Sequence, residues 1–450
     1  MSRIRIIITI IVVVLTTLLT GCTGKEPNEI AYVVVLGIDS TDDDNYKITI
    51  QYANTTQISG GASESGGKAG SEIVDNVTIE APNIYAGVGL ANNIVSKSFS
   101  MSHAKLIVFS KEIAEKGVKD MIETLVRSEE IRPDVFIAVA NTTANDYLTS
   151  VNPEMEVNPA QYYQLIYQKN QLVGIPDGQL REFFTGLYTD NYDSILPVAG
   201  VIEGAGGNSQ NDDKGQSKDG QNEGSEGSSE SLDSFESKSS DDKDENEKEK
   251  DAEKNTSKYE YDIKNYVGGE TAIEKKNKAE AIGAAVFEKD KMVGELGEVE
   301  TEICKILKGD YTYSYLTYYN NDTPDIPITV KTTQQKKPKY KIDTDKKTVD
   351  IELYIESDLY SLPADYNVEN KIEDFERDVA NYTSSACTEF INNFTKKYNS
   401  DILKLNEKVK YKFLTNNQYN WFKKNVGWSE YKFSVCTNFK VRRTGLIVRE

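Results

Sequence analysis

The stretch IEDFERDVANYTSSACTEFINNFTKKY, residues 372–398, carries the clearest periodicity in the chain. Ile372, Phe375, Val379, Tyr382, Ala386, Phe390, Phe394 and Tyr398 recur every three or four residues over about seven turns, which puts them on one stripe of an α-helix. Asn370, with Glu373 three residues on, is a candidate cap. Just upstream, Val349, Ile351, Leu353 and Ile355 alternate with Asp350, Glu352, Tyr354 and Glu356, the period of a strand with one apolar and one wet face. A striped helix and a one-faced strand bury their apolar sides against each other. The spacing therefore predicts a sheet with a long amphipathic helix across it.

Outward from this pair the pattern continues in both directions. Downstream, a second helical stretch is expected from Asp401 to about Lys424. A last strand follows, where Tyr431, Phe433, Val435, Phe439 and Val441 alternate with polar residues. Upstream, short strands are expected at Ile326 to Thr332 and Lys339 to Ile342, and a hairpin at Ile282 to Phe287 and Met292 to Gly294 around Lys289-Asp290-Lys291. The acidic run Glu295 to Glu302 leads into a helix.

Between Glu203 and Ser257 the composition turns to Gly, Ser, Asn, Asp, Glu and Lys, with 17 acidic and 7 basic residues and only Leu232 and Phe235 as large apolar side chains. Such a segment cannot bury enough apolar surface to offset the entropy of ordering, so a disordered acidic insertion is expected. It carries about half of the chain's net charge of −20. That balance speaks against nucleic acid and against polybasic attachment to anionic lipid.

Before the insertion, strands and helices alternate. Ile30 to Ile38 is a nearly unbroken apolar run of strand length, and Tyr46 to Tyr52 alternates. Helices are expected after Pro82, at Lys111 to Arg127, at Ala160 to Asn170 and at Gln179 to Tyr188. Strands are expected at Lys105 to Phe109 and Val135 to Ala140. The fold class is α/β, of mixed α+β character and multi-domain, with mixed sheets packed against helices.

At the N-terminus Arg3 and Arg5 precede an apolar run from Ile6 to Leu19, and Leu19-Thr20-Gly21-Cys22 follows. A basic n-region, an apolar h-region too short to span a bilayer, and small residues before a cysteine make an export signal with a lipobox. Cys22 is the expected lipidation site, carrying diacylglyceryl and N-acyl chains, with no other cofactor. The remaining Cys304, Cys387 and Cys436 are odd in number and contain no C-x-x-C pair, which implies burial or a reducing habitat and no disulfide framework.

Several pieces in order resemble one family. They are the lipobox followed by Asn28-Glu29-Ile30, the strand end Leu36-Gly37-Ile38-Asp39, and Ser102-His103 before a strand. Gly283-Ala284-Ala285-Val286-Phe287 leading to Lys291-Met292-Val293-Gly294 comes next, then Asp401-Ile402 and the closing Arg442-Arg443-Thr444-Gly445-Leu446-Ile447. Together they are similar to the Ger(x)C lipoproteins, the C subunits of the germinant receptors of endospore-forming bacteria. The resemblance implies a lipid-anchored subunit on the outer face of the spore inner membrane, extracytoplasmic and beside membrane-embedded A and B subunits, in about three domains. The expected division is a signal peptide at 1–21, an N-terminal α/β domain at 22–202 and the insertion at 203–257. A middle domain at 258–320 and a C-terminal sheet-plus-long-helix domain at 321–450 complete it.

Catalytic constellations are not expected. His103 is the sole histidine and reads as structural, bonding a backbone group at a strand entrance. No phosphate loop or nucleophile elbow is present, and Glu295, Glu298, Glu300 and Glu302 read as a solvated helix face. Arg442 and Arg443 are the candidate interaction residues, with Gly445 permitting a sharp turn. Strand alternation would send the two guanidinium groups to opposite faces, either as a structural lock or as a subunit contact. The expected function is a non-catalytic membrane-anchored receptor subunit; the alternative is an extracytoplasmic solute-binding lipoprotein, which requires two similar lobes around a cleft.

Overall fold

The computed structural model describes residues 3–9, 29–43, 45–53, 74–151, 158–168, 174–189, 191–202, 265–271, 277–320, 323–361, 371–398 and 400–444. Its first half holds β1 (Ile30–Ser40), β2 (Tyr46–Ala53), β3 (Val74–Ala81), α1 (Ile84–Ala91), β4 (Ser98–Ser100), β5 (Leu106–Ser110), α2 (Lys111–Lys116) and α3 (Lys119–Val126). Next come β6 (Phe136–Ala140), α4 (Ala144–Ser150), α5 (Pro159–Tyr167), α6 (Leu180–Thr189), β7 (Ile195–Val201), β8 (Ala279–Glu288) and β9 (Lys291–Leu296). The remainder is α7 (Glu298–Lys308), β10 (Tyr313–Asn320), β11 (Thr323–Gln334), β12 (Lys339–Asp343), β13 (Thr348–Ser361) and α8 (Ile372–Lys397). After these come α9 (Leu405–Val409), α10 (Asn416–Asn425) and β14 (Lys432–Arg443).

The apolar runs form the centre of the first sheet, whose order is β3-β2-β1-β5-β6-β7-β8-β9 with β4 beside β1. β1, β5, β6 and β7 are parallel neighbours, and antiparallel hairpins flank them. Parallel strands are buried on both faces, which is why their sequences are apolar without alternation. One face packs Ile107, Phe109 and Val139 against Ile113, Ile122, Leu180 and Phe183. The other packs Leu106, Val108 and Ala138 against Tyr147, Tyr163 and Tyr167.

The second sheet runs β10-β11-β13-β12, with β14 parallel to β13. Val349, Ile351, Leu353 and Ile355 are buried as their alternation predicts, and α8 buries Phe375, Val379, Phe390 and Phe394. Phe375 and Phe439 meet ring to ring at 6.5 Å. α8 starts at Ile372, and Lys371 at its cap position makes no side-chain cap bond. The expected cap Asn370 lies outside the described residues.

α8 also seals an open strand edge. Asn392 brackets Phe433, accepting from its N–H at 3.1 Å and donating to its C=O at 3.0 Å. Thr388 Oγ1 accepts from Val435 N at 3.0 Å, Ser384 Oγ from Thr437 N at 2.9 Å, and Glu376 Oε1 from Val441 N at 2.9 Å. Four helical residues rise about 6 Å and two strand residues about 6.6 Å, so side chains spaced by four keep step with alternate N–H groups. The position facing Phe439 in this series is Ala380, which has no acceptor.

Three expectations change. The helix predicted over Lys111 to Arg127 is two helices, because Gly117 adopts φ +124°, a conformation disfavoured for residues with a Cβ. The helix predicted over Asp401 to Lys424 divides into α9, a 3-10 turn at Lys410–Lys412 and α10, which Thr415 caps. Residues 258–320, expected as a middle domain, lend their hairpin to the first sheet and β10 to the second. Gly283 within that hairpin has φ +83°, and a Cβ there would meet the Leu296 carbonyl. The acidic insertion lies outside the described residues.

Candidate functional sites

Asp401 is fully enclosed where the chain leaves α8, and it ties the C-terminal part to the first sheet. Its carboxylate accepts from Leu405 N and Asn406 N, both at 2.8 Å. Its own N–H donates to Asp193 Oδ2 at 2.8 Å, and Asp193 N donates to its carbonyl at 3.1 Å. Asp193 Oδ1 accepts from Lys289 N in the β8–β9 turn at 2.9 Å. Burial pushes the Asp401 carboxyl up to about 7 against the opposing pull of its two N–H donors, and burial also raises Asp193. Ser400 adds a hydrogen bond to the Phe287 carbonyl at 3.0 Å.

Beside this brace opens a groove of about 710 Å³, lined by Tyr192, Asp193, Lys289, Asp401, Lys423 and Trp428 among others. Lys423 Nζ donates to Asn191 Oδ1 at 3.1 Å, and Trp428 Nε1 to Asn406 Oδ1 at 3.2 Å. The carboxylates at its floor accept from backbone N–H groups, the bonding of a joint that holds two elements in register. Sequence reasoning gave these aspartates no role. Asp193 and Asp401 are 208 residues apart, and no local pattern announces their meeting.

The sequence-predicted sites fall as follows. Cys22 and Gly445 lie outside the described residues. Arg442 and Arg443 end β14, where the register shifts between Ser357↔Val441 and Asp358↔Arg443. The extra residue breaks strand alternation, so both arginines are exposed and the expectation of opposite faces is corrected. Arg442 Nη1 lies 3.0 Å from Glu356 Oε2, an ion pair across the wet face of the sheet. Lys440 pairs with Glu376, so the end of β14 is fastened to both β13 and α8.

His103 Nδ1 lies 3.0 Å from the Ser102 hydroxyl and its ring meets Tyr32 edge-on at 4.8 Å, so among the described residues its polar partner is a side chain and not the expected backbone group. The acidic run is likewise not uniformly solvated. Glu295 pairs with Lys111 at 3.0 Å, and Glu300 caps α7 by accepting from Gly297 N at 3.1 Å. Glu302 is half-buried beside Tyr311, and desolvation pushes it up to about 7. Cys304 and Cys387 are buried and Cys436 is exposed, all three as thiols. Among the described residues no cluster of His, Cys, Asp and Glu has the form of a metal site, and no helix is long and apolar enough to cross a membrane.

Comparison with known proteins places these features. The model of the spore germination protein N-terminal domain matches residues 24–201, and that of the spore germination B3/GerAC-like C-terminal domain matches residues 282–445. Spore germination protein KC of Bacillus subtilis (strain 168) is 26% identical over 176 residues, 36% of this chain and 43% of that protein. Spore germination protein GerQC of Bacillus cereus is 24% identical over 196 residues, 42% of this chain and 50% of that one. The matched segments thus span half or less of these relatives' lengths. A solved structure, the crystal structure of the GerBC protein, aligns over 90% of this chain and 96% of its own, with 15% identity and a TM-score of 0.48. With both domain models matching in order along one chain, the protein belongs to the Ger(x)C family, the C-subunit family of spore germinant receptors.

Proposed function

We propose that this chain is a non-catalytic lipoprotein subunit of a spore germinant receptor, held by lipid on Cys22 at the outer face of the spore inner membrane. Its task is to dock on the membrane-embedded A and B subunits, and nutrient-triggered germination requires it. The observation that carries this reading is the ordered match of both family domains to residues 24–201 and 282–445. Lipid attachment confines the chain to two dimensions and raises its effective concentration, so modest contacts suffice for assembly. The rigid joint at Asp193 and Asp401 suits a body that presents fixed surfaces.

The solute-binding alternative calls for two similar lobes. Among the described residues one sheet has nine strands with a parallel centre and the other has five strands with one long helix. The test replaces Cys22 by Ala in spores. Loss of the protein from the inner membrane together with failure of nutrient-triggered germination is expected, and retention with normal germination overturns the proposal. A thermal-shift screen of the protein with amino acids, sugars and bile salts tests the alternative; a reproducible rise would favour solute binding.

A further inference from the structure

The net charge of the chain conceals a segregation. Residues 404–424 contain six lysines and a single carboxylate, Glu407, and residues 336–341 contain four lysines and no carboxylate. These segments adjoin in space. Lys408 Nζ sits 4.6 Å from the centre of the Tyr340 ring, and Lys412 donates to the Ile342 carbonyl, so the turn at 410–412 runs along the edge strand β12. Lys336, Lys337, Lys410 and Lys424 are exposed.

The lysine-rich segment 404–424 also carries three large apolar side chains that the fold leaves out. Tyr411 is 78% exposed, Leu414 94% and Trp421 64%. They do not belong to a frayed end, because the same segment is pinned from beneath. Phe413 packs on Phe422 at 4.9 Å, Phe422 on Trp428 at 5.9 Å, and Thr415 caps α10 by accepting from Gln418 N at 3.3 Å. Leu414 immediately precedes that cap, the position from which an apolar residue ordinarily folds back onto the fourth helical residue, here Tyr419. Tyr419 is instead buried among the aromatic residues beneath, and Leu414 is left in solvent.

We propose that the exposed Tyr411, Leu414 and Trp421, with the lysines of residues 404–424 and of the adjoining segment 336–341, form a second membrane contact, which lies on an anionic lipid bilayer. Exposed aromatic and aliphatic side chains in a lysine-rich segment match an interface of phosphate headgroups over acyl chains. Charge selects the occupant: an anionic bilayer complements this patch. The contact also orients the molecule, because a lipid anchor alone leaves the body free to swivel. The inference rests on the membrane-attached reading above, but its test reads the surface and not the anchor.

The chain has two tryptophans, and Trp428 is buried whereas Trp421 is exposed. The full chain is reconstituted with vesicles of phosphatidylcholine and phosphatidylglycerol in equal parts, with bromine on the acyl chains of the phosphatidylcholine. Quenching of roughly half of the tryptophan emission is expected, the share of one residue of two at the interface. Trp421→Phe should abolish the quenching while the unquenched Trp428 emission shows that the fold persists. Lys410→Glu with Lys424→Glu should weaken it, as should vesicles of phosphatidylcholine alone. Unquenched emission from chain that sediments with the anionic vesicles overturns the proposal and leaves the anchor intact. Shielding of Trp421 only when the membrane-embedded subunits are present also overturns it, in favour of a protein partner.

Discussion

The central strands of the first sheet lie between two helical layers, and their side chains are apolar on both faces. The second sheet has α8 along one side, while Asp350, Glu352 and Lys339 stand in or near water on the other. The difference lies in how each protects its backbone. In the first, hairpins extend the parallel centre on both sides. In the second, polar side chains of a helix stand in for a missing strand along β14, a device that blunts an edge without adding a strand. The first sheet is thus a core, and the second is a platform that leaves a polar face and a basic, aromatic rim available.

Substitutions test that contrast. Phe109→Ala opens a cavity between sheet and helices and should cost about 3–5 kcal/mol, read as a lower urea midpoint. A loss below about 1 kcal/mol would show that the first sheet is not the rigid part. Asp401→Ala strands two enclosed N–H groups and breaks the joint to Asp193, for about 2–4 kcal/mol.

The same joint predicts a pH effect. Asp401 and Glu302 are both raised to about 7 in the folded chain, so between the unfolded carboxylate range and about 7 the native state holds protons that the unfolded state has released. Stability from these groups therefore falls as pH rises through that window and levels off above it. Asp401→Asn should flatten the fall, and an unchanged slope in pH-dependent urea titrations would remove Asp401 as its source.

The edge of β14 gives smaller effects. Asn392→Ala exposes both the N–H and C=O of Phe433 and should cost about 1–2 kcal/mol, with faster hydrogen exchange at Phe433 and Val435. Ala380→Ser should act in the opposite direction by about 0.5–1 kcal/mol, by supplying an acceptor opposite Phe439. If it is destabilising, the helix and strand do not stay in step there. Arg442→Ala removes a mostly exposed ion pair and should cost less than about 1 kcal/mol; a large loss of germination with unchanged stability would mark Arg442 as a contact to a partner.

Much of this was legible along the chain. Periodicity placed α8 and the alternation of β13, and continuous apolar runs placed β1, β5 and β6, because burial on one side or both leaves its period in the residues themselves. β3, β7 and α4 were missed, β7 because Pro197 and Gly200 interrupt its apolar run with residues disfavoured in a strand interior; β10, rich in tyrosine, could equally have been an interface. Ser384, Thr388 and Asn392 read as ordinary polar flanks of a helix, since nothing local says that a strand edge lies four residues apart along them. Arg442 and Arg443 were assigned opposite faces by a rule that one extra residue cancels.

By itself the sequence determined the elements whose pattern repeats over many residues, and the charge of the insertion. Tertiary structure alone decided which strands share a sheet, that Asp193 meets Asp401, and that the lysine-rich segments 336–341 and 404–424 adjoin. The physical reason is range: periodicity records what one element buries, whereas hydrogen bonds and charges between distant segments depend on a juxtaposition that no local stretch encodes.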